Sequence, residues 1–237
     1  IIGSIKNVSE VKIGDTITHL KVDDVKPMPG FKEPQPMVFS GFYPGEGSSH
    51  EELREAIEKL TLNDSSFKFE PETSPILGIG FRCGFLGLLH KEIIQERLER
   101  EYNLSIVTTA PSVKYRVTTK KQEVFEIESP AGLPDPMNLE MIEEPYIEAI
   151  IITPEEYLGN IIKLLQNRRG IHRKMDYISS ERIHLKYDIP LGEVLYDFFN
   201  KLKSISRGYA SFDYEFKEYS VSPLIKLDIL INGDAVD

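Results

Sequence analysis

The sequence has no tryptophan, one cysteine among 237 residues, and no apolar run near the length of a membrane-spanning helix. A lone cysteine, Cys83, cannot close an internal disulfide, and a chain with neither a cysteine framework nor an apolar leader reads as a protein of a reducing compartment. A spanning helix takes about 18 apolar residues in a row, whereas the longest run, Ala149 to Ile152, is bounded by charge and Pro154. Positive charge is in deficit, with 28 Lys and Arg against 38 Asp and Glu and a net charge of −10. That balance argues against a chain that coats nucleic acid, because phosphate binding draws on clustered Lys and Arg. No GxxxxGK[ST] phosphate loop occurs, and His19, His50, His90, His172 and His184 show no metal-ligand spacing.

What is present suits a globular chain. The hydrophobic share is 41%, and at about 100–200 residues per domain the length allows one large or two small cores. The chain opens on Ile1-Ile2-Gly3, without methionine and in strand-like material, which reads as a fragment cut inside a domain. Alternation of apolar and polar residues over 1–26 predicts short strands, and the proline-rich stretch 27–36 reads as a linker.

From Met37 the order of elements becomes informative. Strand-like 37–42 precedes a helical pattern over 48–62, where Ser49 and Glu52 have the spacing of a capping box. Strands are predicted over 67–69 and 76–81 around a turn at Glu70-Pro71-Glu72-Thr73. A helix is predicted over 85–101, with Leu89, Ile93, Ile94 and Leu98 inward, and then a strand over 104–108. The order is βαββαβ, the split βαβ sandwich. After a strand pair near 115–117 and 124–127 and a loop at 129–136, the order returns. A strand over 146–152 leads to a helix opened by Thr153 as N-cap with Pro154 at its first position and stopped at Gly170. Strands over 175–179 and 183–187, a helix over 191–205 and a strand over 209–216 complete it. The expectation is an α+β chain of two ferredoxin-like sandwiches in tandem.

Several motifs have a plain reading beside a sharper one. Gly78, Gly80, Gly84 and Gly87 suit close packing of strand and helix rather than a phosphate site, since Lys91 lies in the helix body. Cys83 reads as a buried structural thiol. Glu140, Glu143 and Glu144 read as a solvated loop. The run Arg207 to Tyr214 resembles an RNA-recognition submotif, but it falls after the second helix instead of on the third strand. The cluster Arg168, Arg169, His172, Arg173 and Lys174 is read at a helix C-terminus and the loop after it, with Lys201, Lys203 and Arg207 near the end of the other helix. Cations there either meet the helix dipole or neutralise RNA phosphates.

The stretches 62–74 (LNDSSFKFEPETS), 80–104 (GFRCGFLGLLHKEIIQERLEREYNL), 108–115, 143–162, 187–216 and 226–237 resemble the LepA, or elongation factor 4, family of translational GTPases. The resemblance runs nearly the whole chain and is weakest over 118–142. It implies a ribosome-bound factor whose domains run in the order GTPase, β-barrel, ferredoxin-like third domain, a domain like the fifth of elongation factor G, and a terminal domain. On that map 1–36 is the tail of the barrel and a linker, 37–113 the third domain, 114–144 connecting strands and loop, 145–225 the fifth-like domain, and 226–237 the start of a link onward.

The GTPase and terminal domains would lie outside the chain. It would then hold no cofactor and hydrolyse nothing, with GTP and magnesium bound elsewhere in the whole factor. The resemblance further implies ribosomal RNA and tRNA as partners, work in back-translocation, fidelity or ribosome biogenesis, and a cytoplasmic place with peripheral association at the inner face of the bacterial cell membrane. The fragment itself is expected to be a monomer. Contact with the GTPase domain is expected near Asn63, Asp64 and Glu72, and contact with ribosomal RNA on the basic residues named above. Two competing readings are a stand-alone RNA-binding module acting through Tyr209 and Phe212 and a ligand-sensing regulatory module with an apolar pocket.

Overall fold

The computed structural model describes residues 15–19, 25–26, 35–64, 66–74, 76–128, 132–179, 181–227, 229–231 and 234–236. Most of the expected barrel tail and linker, 1–36, lies outside the described residues. The chain divides into two units, Ile1–Pro111 and Ser112–Asp237. Among the described residues no helix is long and apolar enough to cross a membrane.

In the first unit the order is β1 (Val38–Pro44), α1 (His50–Thr61), β2 (Lys68–Ser74), β3 (Gly78–Phe85), α2 (Leu88–Glu101) and β4 (Ile106–Thr108). The sheet is ordered β2-β3-β1-β4 with antiparallel neighbours, the ferredoxin-like arrangement that the element order predicts. The predicted capping box forms: Ser49 Oγ accepts from the Glu52 N–H, and the Glu52 carboxylate accepts from the Ser49 N–H. Phe42, Phe81 and Phe85 meet Leu53, Ile57, Leu60, Ile94 and Leu98 in the core.

Two local expectations fail here. Glu70-Pro71-Glu72-Thr73 is part of β2 rather than a turn. Pro71 is tolerated because β2 is an edge strand, where a missing N–H can face away from the ladder. In α2 only Ile94 and Leu98 are buried, while Leu89 and Ile93 are exposed. The packed stripe is set by that i, i+4 pair, and Ile93, one residue earlier, falls about 100° around the helix.

The second unit repeats the pattern with β7 (Leu139–Pro154), α3 (Leu158–Asn167), β8 (Ile171–Ser179), β9 (Arg182–Pro190), α4 (Leu191–Leu195), α5 (Phe198–Ile205) and β10 (Ser211–Val221). A hairpin of β5 (Tyr115–Thr119) and β6 (Val124–Ile127) precedes it, and β11 (Ile229–Ile231) pairs with β12 (Asp234–Val236) after it. β10 and β9 flank β7, with β8 outside β9. Ile147, Ala149, Ile151 and Thr153 of β7 and Ile183, Leu185, Tyr187 and Ile189 of β9 are buried. With Ile161, Leu165, Phe198 and Leu202 from the helices, they form the core.

The hairpin, expected as a connector, belongs to this sheet. β7 begins at Leu139, well before the predicted 146, and β9 reaches only as far as Tyr146 along it. The protruding Leu139–Glu143 edge would leave unpaired backbone groups, and Arg116–Thr119 of β5 pairs with it. Thr153 is not an N-cap. It is fully buried in β7, and a 3-10 turn, Glu155–Tyr157, leads into α3. The single helix expected over 191–205 is two, broken where Tyr196 is extended and Asp197 takes φ 55°.

Candidate functional site

The basic cluster does not form one free patch. Strand β8 starts directly after Gly170, so His172, Arg173 and Lys174 lie on an edge strand instead of a loop. Arg169 sits in the turn after α3 at φ 55°, and its guanidinium grips Glu144 through Nη1 at 2.6 Å and Nη2 at 3.1 Å, while Nε donates to Glu193 at 2.8 Å. The Glu144 side chain is 2% exposed. Hydrogen bonding to Glu144 therefore pushes the Arg169 pKa above its ordinary value, against the opposing effect of burial. Arg168 donates to Glu193 and to the Tyr196 carbonyl.

Arg173 donates to Asp188 Oδ2 at 2.5 Å, and Lys217 donates to the same oxygen at 2.6 Å. Asp188 is itself buried. Lys174 pairs with Asp176, and the His172 ring meets Tyr187 edge-on. Thus Arg168, Arg169 and Arg173, expected to meet RNA, are occupied in bracing β7, β8, β9 and α4. Near the other helix end, Lys201 pairs with Asp197, Lys203 Nζ lies 4.6 Å from the centroid of the Phe199 ring, and Arg207 is exposed at φ 50°.

Sequence reasoning missed the partners in this network. Glu144, read as part of a solvated loop, is buried on β7. Counting by twos from buried Ile142 would have placed it on the same face. Glu193 and Asp188 carry no such signal, because they meet their arginines across the fold.

The expected GTPase-side residues also have internal duties. Asp64 Oδ1 accepts from the Ser66 N–H at 3.0 Å and from its hydroxyl at 2.5 Å. The other oxygen, Oδ2, lies 2.9 Å from His90 Nε2. Since His90 Nδ1 accepts from the Leu86 N–H, its proton sits on Nε2 and is donated to Asp64. Burial pushes the Asp64 carboxyl up, yet the hydrogen bonds from Ser66 and from His90 outweigh it and its pKa sits low. Asn63 is exposed. Glu72 lies farther along β2, apart from that loop.

Glu72 accepts from the Tyr43 hydroxyl at 2.8 Å and pairs with Arg82 at 3.7 Å. The Tyr43 ring lies against Gly41 and Gly80. Burial first, then the bond to Glu72 and its charge, raise the Tyr43 phenol to about 12. An unfolded tyrosine ionises near ~10, so the native state holds this proton more tightly between the two values. The stability it contributes is complete below about pH 10 and is lost as pH rises through about 12. Tyr43→Phe should flatten the fall of stability across that window in denaturant titrations. Superimposable pH profiles for the two proteins would remove Tyr43 as the cause.

The structure also bears on the competing readings. Phe212 pairs in register with core Ile151, and its ring centroid lies 5.1 Å from that of Phe198, so it packs beneath the sheet. Tyr209 is 69% exposed and stacks on Tyr157. An apolar cavity of about 270 Å³ in the second unit is lined by Tyr115, Ile127, Leu133, Ile142 and the segment 224–227.

Comparison with known proteins agrees with this architecture. A family model described as Elongation factor G C-terminus matches residues 141–230. The chain is 56% identical over 237 residues to Elongation factor 4 of Clostridium tetani. It is 54% identical to that of Streptococcus agalactiae and 55% to that of Lachnospira eligens, again over 237 residues. All of this chain is covered in each case, and it spans 39% of the length of these curated relatives. A crystal structure of a protein from Thermus thermophilus is similar in fold, with a TM-score of 0.50 and 19% identity, covering 85% of this chain and 44% of that one.

Proposed function

By sequence this chain belongs, over all of its 237 residues, to the elongation factor 4 family, and from that premise we propose that it is the part of such a factor that carries nucleotide state to ribosomal RNA. The observation that carries this reading is identity of 53–56% sustained along the whole chain, which no stand-alone RNA module or ligand sensor would share. Two sandwiches, each with its own core and the second cross-braced by arginine–carboxylate pairs, are suited to passing on displacement instead of absorbing it. On this reading GTP and magnesium are held by the remainder of the longer factor, and this chain does no hydrolysis. The partners are ribosomal RNA and tRNA in the cytoplasm, and the work is to remobilise tRNAs on the ribosome or to assist fidelity and ribosome biogenesis. Contact with the GTPase domain is assigned to the end of the first unit that displays Asn63.

An RNA-recognition mode is disfavoured because Phe212 is turned inward. The test is competition. An excess of this chain added to a full-length elongation factor 4 should lower its ribosome-stimulated GTP turnover and leave its ribosome-free turnover unchanged. Equal turnover with and without the chain, at concentrations where the chain is folded, counts against the proposal.

A further inference from the structure

We propose that the second unit pairs with a second copy of itself along the outer edge of β8, the two strands running antiparallel about a twofold axis at Met175. This does not rest on the ribosomal reading above. β8 closes one side of its sheet, paired with β9 and with no other strand among the described residues. A strand so placed offers its outward N–H and C=O groups to any chain that can continue the ladder. Its apolar side chains are open to solvent as well, Met175 at 42% and Tyr177 at 57%. Both lie in register with core residues, Leu185 and Ile183 of β9. They therefore carry the apolar side of the sheet past the point where the core ends.

Such edges are ordinarily guarded by charge. In β8 the guards are spent on the unit itself: Arg173 donates to Asp188, and Lys174 holds Asp176 at 2.8 Å. The strand β10, which pairs only with β7 among the described residues, is guarded differently. It carries Asp213, Glu215 and Glu218, so a copy laid against it would oppose carboxylate to carboxylate.

Charge also selects the register. Bulges between His172 and Lys174 and between Tyr177 and Ser179 leave 174–177 as the regular stretch of β8. Centred on Met175, an antiparallel pair sets Lys174 of each copy opposite Asp176 of the other, and Met175 opposite Met175 on the apolar side. Tyr177 then reaches Met175 of the second copy along the diagonal. A slip of one residue would turn the apolar side of one copy against the polar side of the other. Moving the axis to Lys174 or to Asp176 would oppose like charges. The pairing is isologous and uses up the edge it is built on, so assembly stops at two copies. The monomer expected of the fragment is then its dilute form.

Sedimentation velocity over a concentration series of the 237-residue chain tests this. A monomer–dimer equilibrium is expected. Lys174→Glu opposes two pairs of carboxylates and Asp176→Lys two pairs of ammonium groups, so each alone should weaken dimerisation about tenfold. An equimolar mixture of the two variants should recover the wild-type dimer, since the new carboxylate on one chain then faces the new ammonium on the other. Both side chains are well exposed on the strand edge, and circular dichroism checks that the variants fold.

Disulfide trapping with diamide gives a second readout that does not depend on the charge variants. Cys83 is fully buried and does not compete. Met175→Cys should link two copies, because directly opposed residues of antiparallel strands lie within disulfide reach. Tyr177→Cys should not, because four residues at about 3.3 Å each would part the two thiols. A chain that stays monomeric up to its solubility limit overturns the proposal, as do dimers indifferent to both charge reversals or a mixture that recovers nothing. Linkage through Tyr177→Cys and not Met175→Cys also overturns it. Growth beyond the dimer would mean head-to-tail pairing with another edge and counts against it equally.

Discussion

Replacing Arg169 by methionine will destabilise the second unit by about 2–3 kcal/mol, less than the loss of a fully buried ion pair, because the Glu144 side chain is buried but that of Arg169 is 41% exposed and solvent screens the pair. The Glu144 side chain is 2% exposed and both of its oxygens accept from Arg169. Without the guanidinium a carboxylate would stay in a low-dielectric site with no counter-charge, and Glu193 would lose one of its two arginine partners. The companion change Glu144→Gln removes the stranded charge, so Arg169→Met combined with Glu144→Gln should regain part of the loss in urea titrations. A single variant as stable as wild type would mean that the pair contributes nothing, and a double variant worse than the single would mean that Glu144 is not the group left exposed to the penalty. Because Arg169 is exposed enough to invite a phosphate, the same measurement separates a brace from a contact: a contact residue could be replaced without loss of stability.

A methyl group added at Gly80 is expected to cost the first unit about 3 kcal/mol, at the upper end of the range for overpacking. Its Cβ would lie 2.4 Å from Tyr43 Cδ1 and 2.6 Å from the Phe42 carbonyl oxygen. The ring could swing aside, but the carbonyl belongs to β1 in the middle of the sheet and cannot. Moving Tyr43 also breaks its bond to Glu72, so Gly80→Ala should return the Tyr43 phenol from about 12 toward the ordinary value near ~10. Loss of stability with an unchanged tyrosine titration would place the strain elsewhere. By contrast Gly47→Ala meets nothing within 4 Å, and its cost is confined to the positive φ of 81°.

The repeated βαββαβ order was legible because its signals are local. Period 3.6 marks α1 and α3, period 2 marks β7 and β9, and the capping box at Ser49 depends on residues three apart. What was not legible depends on distant residues. Whether Pro71 sits in a turn or a strand turns on whether β2 has a neighbour on its free edge. The hairpin β5–β6 joins the second sheet because β9 stops opposite Tyr146, a fact about two strands rather than one. The basic cluster was visible as composition, but its acceptors were not, since Arg169 finds Glu144 at a separation of 25 residues and Glu193 at 24, and Arg173 finds Asp188 at 15. Arg168, Arg169 and Arg173 therefore read as structure once the fold is known. The part that stays available, Lys203 and Arg207, is held by a helix end, where the sequence alone offers two readings.

The most direct test of the account is cosedimentation of this chain with 70S ribosomes across a salt series. The account predicts saturable binding that a full-length elongation factor 4 displaces, with log affinity falling linearly as log salt rises between about 50 and 200 mM. A folded chain that stays in the supernatant at every salt concentration, or that binds without salt dependence, would contradict it.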